Sequence, residues 1–428
     1  MNRPIGCSSN PGRHRPCRTA ARFVITLAML VYAVAGRAAA AQESDAACAS
    51  APEASPQAMS AHERDDTRRF MHGIAAANAG GDRHWVFFSS SGLPPRGPNL
   101  DRSWPHDVYV GAWSPVLRRL AEVRVFISRP EAQEPVSVAQ NTSGNIFVTF
   151  EDGWNASRLL SQRFGVYRAD LAPIRPYPNE VESGGHSGHV AAVGQRFVVF
   201  YSEGWVQGGG IDNLGTGGGV YVKVYDGSGR FQRRAQVAPH VREWWPMIAG
   251  SPRRALLVWQ RYLPGEIVAR LQYGVFDPET GEFMRTDAVA ADLRVRYYTY
   301  AAAWVPTVQR FVLVATLASG RTSILLINEA GYVTARLACL PASVREAGIG
   351  VDGSTIYVPT HDGRLMTLAL TADTIALQGL IRAPFAWGGA GSIGIADGHG
   401  AMHFISLSSN GLQEADFSVR GEAAPDAR

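Results

Sequence analysis

A chain of 428 residues with a formal net charge of +4 looks weakly basic, but residues 1–41 hold six arginines and no Asp, Glu or Lys. The remainder therefore carries about −2, which removes the main electrostatic argument for a nucleic-acid partner. No later segment approaches the roughly twenty uninterrupted apolar residues that a membrane span needs.

The first 22 residues carry five arginines and no acid, and are followed by "FVITLAMLVYAVA" and then by the small residues of "GRAAAAQ". This order of charge, short apolar run and Ala-rich exit predicts a secretory signal peptide over 1–41, cleaved near 38–42, and an exported, periplasmic or secreted protein. Cys7 and Cys17 would leave with it, so Cys48 and Cys339 are the pair available for a disulfide in an oxidising compartment. Residues 42–66, "QESDAACASAPEASPQAMSAHERDD", have no apolar period and are expected to form a flexible tail.

From 67 to 420 short β-branched and aromatic runs alternate with Gly, Pro, Asp and Asn clusters, with no helical stripe. The same unit recurs seven times: small residues, a turn, then a dense apolar strand. Aligned on Trp85, Ile146, Phe197, Leu256, Phe311, Ile356 and Met402, the units are spaced by 61, 51, 59, 55, 45 and 46 residues. Periods near fifty belong to propeller blades. A second strand pair with a Gly-containing turn lies between most units, as in "GVYVKVYDGSGRFQRRAQVA", so each unit predicts a four-stranded antiparallel sheet with strands A to D. The expected fold is an all-β, seven-bladed β-propeller, with six blades as the alternative.

Ala75–Ala77, Ala191, Ala192 and Ala301–Ala303 suit the crowded inner strand A, while Trp85, Phe200 and Trp259 suit the space between blades. The last unit has room for about three strands, so closure must borrow one from the N-terminal side or leave the blade short. Residues 421–428 are expected to be a disordered tail.

These repeats resemble a secreted β-propeller of the general sialidase or polysaccharide-lyase kind. The likeness is one of architecture, since no repeat carries an Asp-box, a WD dipeptide or a kelch motif.

Because strands A and B are antiparallel neighbours, the start of A and the end of B share one face, around the axial opening. The starts of A carry His186 with His189, Trp244 with Trp245, Tyr298 with Tyr300, and Arg345 with Glu346; the ends of B carry Glu151 and Trp154, Glu203 and Trp205, and Arg261 with Tyr262. Two inserted segments, "SSSGLPPRGPNLDRSWPHDV" and the Gly-rich "SEGWVQGGGIDNLGTGGGVYV", are expected to emerge on that face. The second lacks the Walker spacing and is no phosphate cradle. Two histidines three apart, with no cysteine near, fall short of a metal site. No metal and no cofactor are expected.

Convergence of these side chains points to carbohydrate. Tyr and Trp faces suit sugar rings, and Arg suits a uronate carboxylate. In a lyase scheme Arg261 or Arg345 neutralises the carboxylate, His186 or His189 is the base, and Tyr298 or Tyr300 protonates the leaving oxygen. Trp154, Glu203, Trp205, Trp245, Tyr262 and Arg345 would bind substrate. A hydrolase would instead draw a carboxylate pair from Glu151, Glu203 and Glu346. The rival from another class is a non-catalytic module binding a glycan, a peptide or a protein at the same mouth. The expected partner is a polysaccharide or other extracytoplasmic ligand, met by a monomer; a redox role ranks third.

Overall fold

Runs rich in Val, Phe, Tyr and Trp, many of them seven or eight residues long, form strands throughout the computed structural model. It describes residues 53–54, 58–63, 72–90, 106–129, 132–153, 160–203, 219–238, 243–262, 268–288, 294–383, 387, 391–408 and 411–418. The expected signal peptide and C-terminal tail lie outside these residues. Two short strands come first, β1 (Glu53–Ala54) and β2 (Ala58–Glu63). A four-stranded sheet follows, in the order β3 (His72–Gly80), β4 (Arg83–Ser90), β5 (Asp107–Trp113), β6 (Ala121–Ile127). The next comprises β7 (Gln133–Gln140), β8 (Ile146–Asp152), β9 (Ser161–Tyr167) and β10 (Pro173–Ser183). A third runs β11 (Gly185–Val193), β12 (Arg196–Glu203), β13 (Gly219–Tyr225), β14 (Phe231–Ala238).

Strands β15 (Glu243–Gly250), β16 (Ala255–Tyr262), β17 (Ala269–Phe276) and β18 (Phe283–Ala288) repeat the pattern, as do β19 (Arg294–Val305), β20 (Arg310–Leu317), β21 (Thr322–Ile327) and β22 (Val333–Leu340). A two-residue bridge, Ala269↔Val295 and Arg270↔Arg294, joins these two groups into one larger sheet. Then come β23 (Gly350–Asp352), β24 (Thr355–Thr360), β25 (Arg364–Leu370) and β26 (Ile375–Arg382), and last β27 (Ser392–Ala396), β28 (Ala401–Ser408) and β29 (Gly411–Ser418).

The hairpins are closed by short polar side chains at their first position. Asn141, Asp226, Asn328 and Asp397 each use one Oδ1 to accept two backbone N–H groups, as Asp226 does from Ser228 and Arg230 at 2.8 and 3.0 Å. Such Asx turns need no support from the rest of the fold, so the hairpins are locally encoded.

Face-to-face packing turns these sheets into a ring. Trp259 of β16 meets Phe200 of β12 edge-on at 6.0 Å, within a cluster that includes Val198, Val222 and Leu257. Each sheet shares such a cluster with the next, and Val86 and Phe88 of the first sheet pack with Ile405, Leu407 and Leu412 of the last. The inner strands β3, β7, β11, β15 and β19 pack on one another in turn, and β27 packs back on β3. Their crowding explains the small residues: a Cβ on Gly250 would lie 2.0 Å from the carbonyl oxygen of Ala192, and one on Gly348 2.0 Å from that of Ser392. This is a β-propeller.

One expectation needs correction. Residues 42–66 are not wholly a flexible tail, because β2 pairs antiparallel with β29, from Ala58↔Phe417 to Glu63↔Gln413, and β1 pairs parallel with β26. An open edge on β29 offers a row of backbone donors and acceptors, and pairing to it needs no apolar period in the added strand. The last sheet, three strands long in sequence, is completed in this way.

Candidate binding site at the axial mouth

Strand register brings the start of each inner strand beside the end of its neighbour, with Glu134 opposite Glu151, His186 opposite Ser202 and Glu243 opposite Arg261. Just inside that end the pairing slips, between Glu134 and Ser137, His186 and His189, Trp244 and Met247, and Val295 and Tyr300. Three of these slips contain a non-glycine residue with left-handed backbone: Ser187 at φ 55°, Trp245 at 58° and Tyr298 at 50°. Glu346, ahead of β23, has φ 47°. Each such residue costs of order 1–3 kcal/mol, and strain of this kind gathers at binding and catalytic sites. A bulge also re-aims the side chains that follow it.

Within this ring of bulges lies a cavity of about 290 Å³. Its walls are small and apolar, from Gly73–Ala76, Pro135, Val136, Met247, Ala347, Gly348 and Ile393, and its polar groups are Ser137, His189, Tyr298, Glu346 and Ser392. His189 donates its Nδ1 proton to the Ser187 carbonyl at 3.0 Å, and its ring meets Tyr298 edge-on at 6.1 Å. Tyr298 in turn packs at 5.2 Å on Trp245. The Glu346 amide donates to the Tyr298 carbonyl at 3.1 Å, tying the two sheets at the cavity wall.

Of the residues singled out by sequence, His189 and Tyr298 line this cavity, together with Glu346 from the hydrolase scheme. His186 does not. It is 2% exposed, hydrogen-bonded through Nδ1 to Ser187 Oγ, and flanked edge-on by Trp244 and Trp245 at 5.7 and 5.4 Å. Burial pushes its pKa down to about 3. Its 3.7 Å approach to Glu151 is therefore a contact of a neutral ring, not an ion pair, at neutral pH.

Arg261, proposed to neutralise a carboxylate of the substrate, instead donates through Nε to Glu243, a fully buried carboxylate that also accepts from the Trp259 indole. Tyr300 is buried with its hydroxyl donating to the Trp245 carbonyl, and Tyr262 and Trp245 are buried as well. Glu203 accepts from Arg234 at 2.8 Å, part of a network with Tyr201, Glu182 and Lys223, the sole lysine. Arg345 is 42% exposed and 3.8 Å from Glu346. Trp154, Trp205 and Cys48 lie outside the described residues. Cys339 is disulfide-bonded.

Ser137, Met247 and Ser392 were not singled out from sequence. Ser137 and Met247 share one signal: each is the third residue beyond a mouth-face residue of its own strand, the spacing that separates His189 from His186.

No family model and no curated protein matches the chain. Solved structures do. The WD40 domain of coronin from Toxoplasma gondii matches at 8% identity with a TM-score of 0.52, covering 88% of this chain and 90% of that one. BBS1N, solved in complex with ARL6DN, matches at 10% identity and 0.51, over 86% and 99%. At such identities the likeness speaks for the fold alone, and the chain is a β-propeller module. No helix among the described residues is long and apolar enough to cross a membrane.

Proposed function

We propose that this protein is an exported, seven-bladed propeller that acts as a non-catalytic binding module and takes a glycan group into its axial pocket. The observation that carries this reading is the cavity itself, where the inner strands converge and an aromatic ring, an imidazole, two hydroxyls and a carboxylate meet on apolar walls. Concave openings with a few convergent polar groups are the default ligand sites of such scaffolds. Seven blades follow from the recurring four-strand groups if β2 completes the last and the bridged pair counts as two. The disulfide at Cys339 favours an oxidising compartment and hence export.

The uronate-lyase scheme is less well supported. It asks for a base, an acid and a guanidinium on one substrate, whereas His186 is sealed in the wall, Arg261 is held by Glu243, and the Tyr300 hydroxyl is engaged by a carbonyl. His189 and Tyr298 remain as its one adjacent pair. Retention on a panel of immobilised glycans tests the binding reading. His189→Ala and the cavity-filling Ala347→Phe are expected to abolish retention while the unfolding midpoint moves little. Release of unsaturated oligosaccharide by the wild type, lost in His189→Ala, would overturn it in favour of the lyase.

A further inference from the structure

The charge of the cavity lining points away from an acidic ligand. Among the described lining residues there is no Arg or Lys, and Glu346 is the one carboxylate. Its side chain is 13% exposed, so water screens it weakly. Arg345, 3.8 Å away and 42% exposed, is not among the described lining residues, which limits what that pair contributes. A uronate carboxylate brought here would meet the Glu346 carboxylate, and none of the described lining residues carries a guanidinium to attract it.

The neighbouring groups complete a different pattern. Ser137 Oγ accepts the Val190 N–H at 3.1 Å and Ser392 Oγ accepts the Gly348 N–H at 3.1 Å. Each hydroxyl thereby keeps its own proton to donate, and sugar hydroxyl oxygens are suitable acceptors. Tyr298 adds an aromatic ring to the wall, and such a ring attracts a nearby cation. Resting on the glycan-binding reading above, we propose that the axial pocket selects an ammonium-bearing sugar, a hexosamine with its amine free, over the uronate that sequence alone suggests.

Calorimetric titration of the full chain at mildly acidic pH, where the sugar amine is protonated, tests this with four probes: a glucosamine trisaccharide, its N-acetylated counterpart, a galacturonate trisaccharide and a lysine-terminated tripeptide. The amine sugar is expected to bind about tenfold or more tightly than the N-acetylated one, the scale of a charge-assisted hydrogen bond, with the uronate weakest. Glu346→Gln, which keeps side-chain size, should erase that preference without moving the unfolding transition. Arg345→Gln should raise amine affinity severalfold. Equal binding of the amine and N-acetyl sugars would overturn the charge selection and leave the glycan pocket standing. Tighter binding of the peptide would overturn the sugar assignment. Loss of amine binding in Arg345→Gln would overturn the role given to Glu346, and no binding by any probe would remove the pocket reading itself.

Discussion

Acid should weaken this fold through one buried imidazole. Burial holds the His186 pKa at about 3, against about 6.5 in an unfolded chain. Between those values the unfolded state binds more protons than the folded one, so stability rises with pH through the window and levels off above about 6.5. The contribution is complete at neutral pH and is lost as pH falls. At pH 5 an exposed His186 would be almost fully protonated while the buried ring stays neutral. The linkage integral then gives a loss of about 2 kcal/mol relative to pH 8, growing to about 5 kcal/mol below pH 3. Urea unfolding followed by tryptophan fluorescence at pH 5, 6 and 8, on wild type and His186→Gln, isolates the effect. The variant should be less stable overall, because it disturbs the Ser187 and Trp244 contacts, yet its stability should fall by about 2 kcal/mol less between pH 8 and 5. Identical pH slopes in the two proteins would refute the assignment of His186 as a neutral, sealed wall residue.

Other expectations concern pairing and closure. Arg261→Met takes the guanidinium away from the buried Glu243 carboxylate and should cost about 3 kcal/mol by chemical denaturation, whereas Glu243→Gln should cost less than half of that. If β2 completes the last sheet, neighbouring proline substitutions should differ. Of Ser60→Pro and Ala61→Pro, the one whose N–H points to β29 should destabilise by about 2–3 kcal/mol and the other by under about 1; equal, small effects would detach the strand. Thiol titration of denatured, unreduced protein is expected to find Cys339 blocked, and Cys48→Ala to release it; a Cys339 still blocked in that variant would assign its partner elsewhere.

The repeat was legible because each second strand of a sheet is buried on both faces and so reads as an uninterrupted apolar run, as in Phe197–Tyr201. Ala75–Ala77 and Ala191–Ala192 pointed to the inner strands because backbone crowding leaves a compositional trace. Which mouth residues face the cavity was not legible. Strand alternation assigns alternate residues to opposite faces, but the bulge between His186 and His189 breaks that count, and one imidazole ends in the wall while the other lines the cavity. The pairing of Arg261 with Glu243 was not legible for another reason: Glu243 is 18 residues earlier in the chain, and only the antiparallel register makes them neighbours. The strand role of 58–63 left no pattern to read, since its pairing with β29 is a backbone matter.

That pairing has a consequence for how the chain comes to be folded. Ala58 and Phe417 must meet across nearly the whole sequence, and the length-dependent part of closing such a loop costs about 5 kcal/mol of chain entropy. Hairpins such as β13–β14 form from near neighbours, so the sheets can assemble early while the ring stays open at its seam. Until β2 arrives, β29 presents an unsatisfied edge to any other chain in the compartment. The slow step and the hazard of misassembly thus fall at the same place. Since the other three cysteines all lie upstream of β1, the disulfide at Cys339 would tether the N-terminal side to the body of the ring and shorten the search that β2 must make.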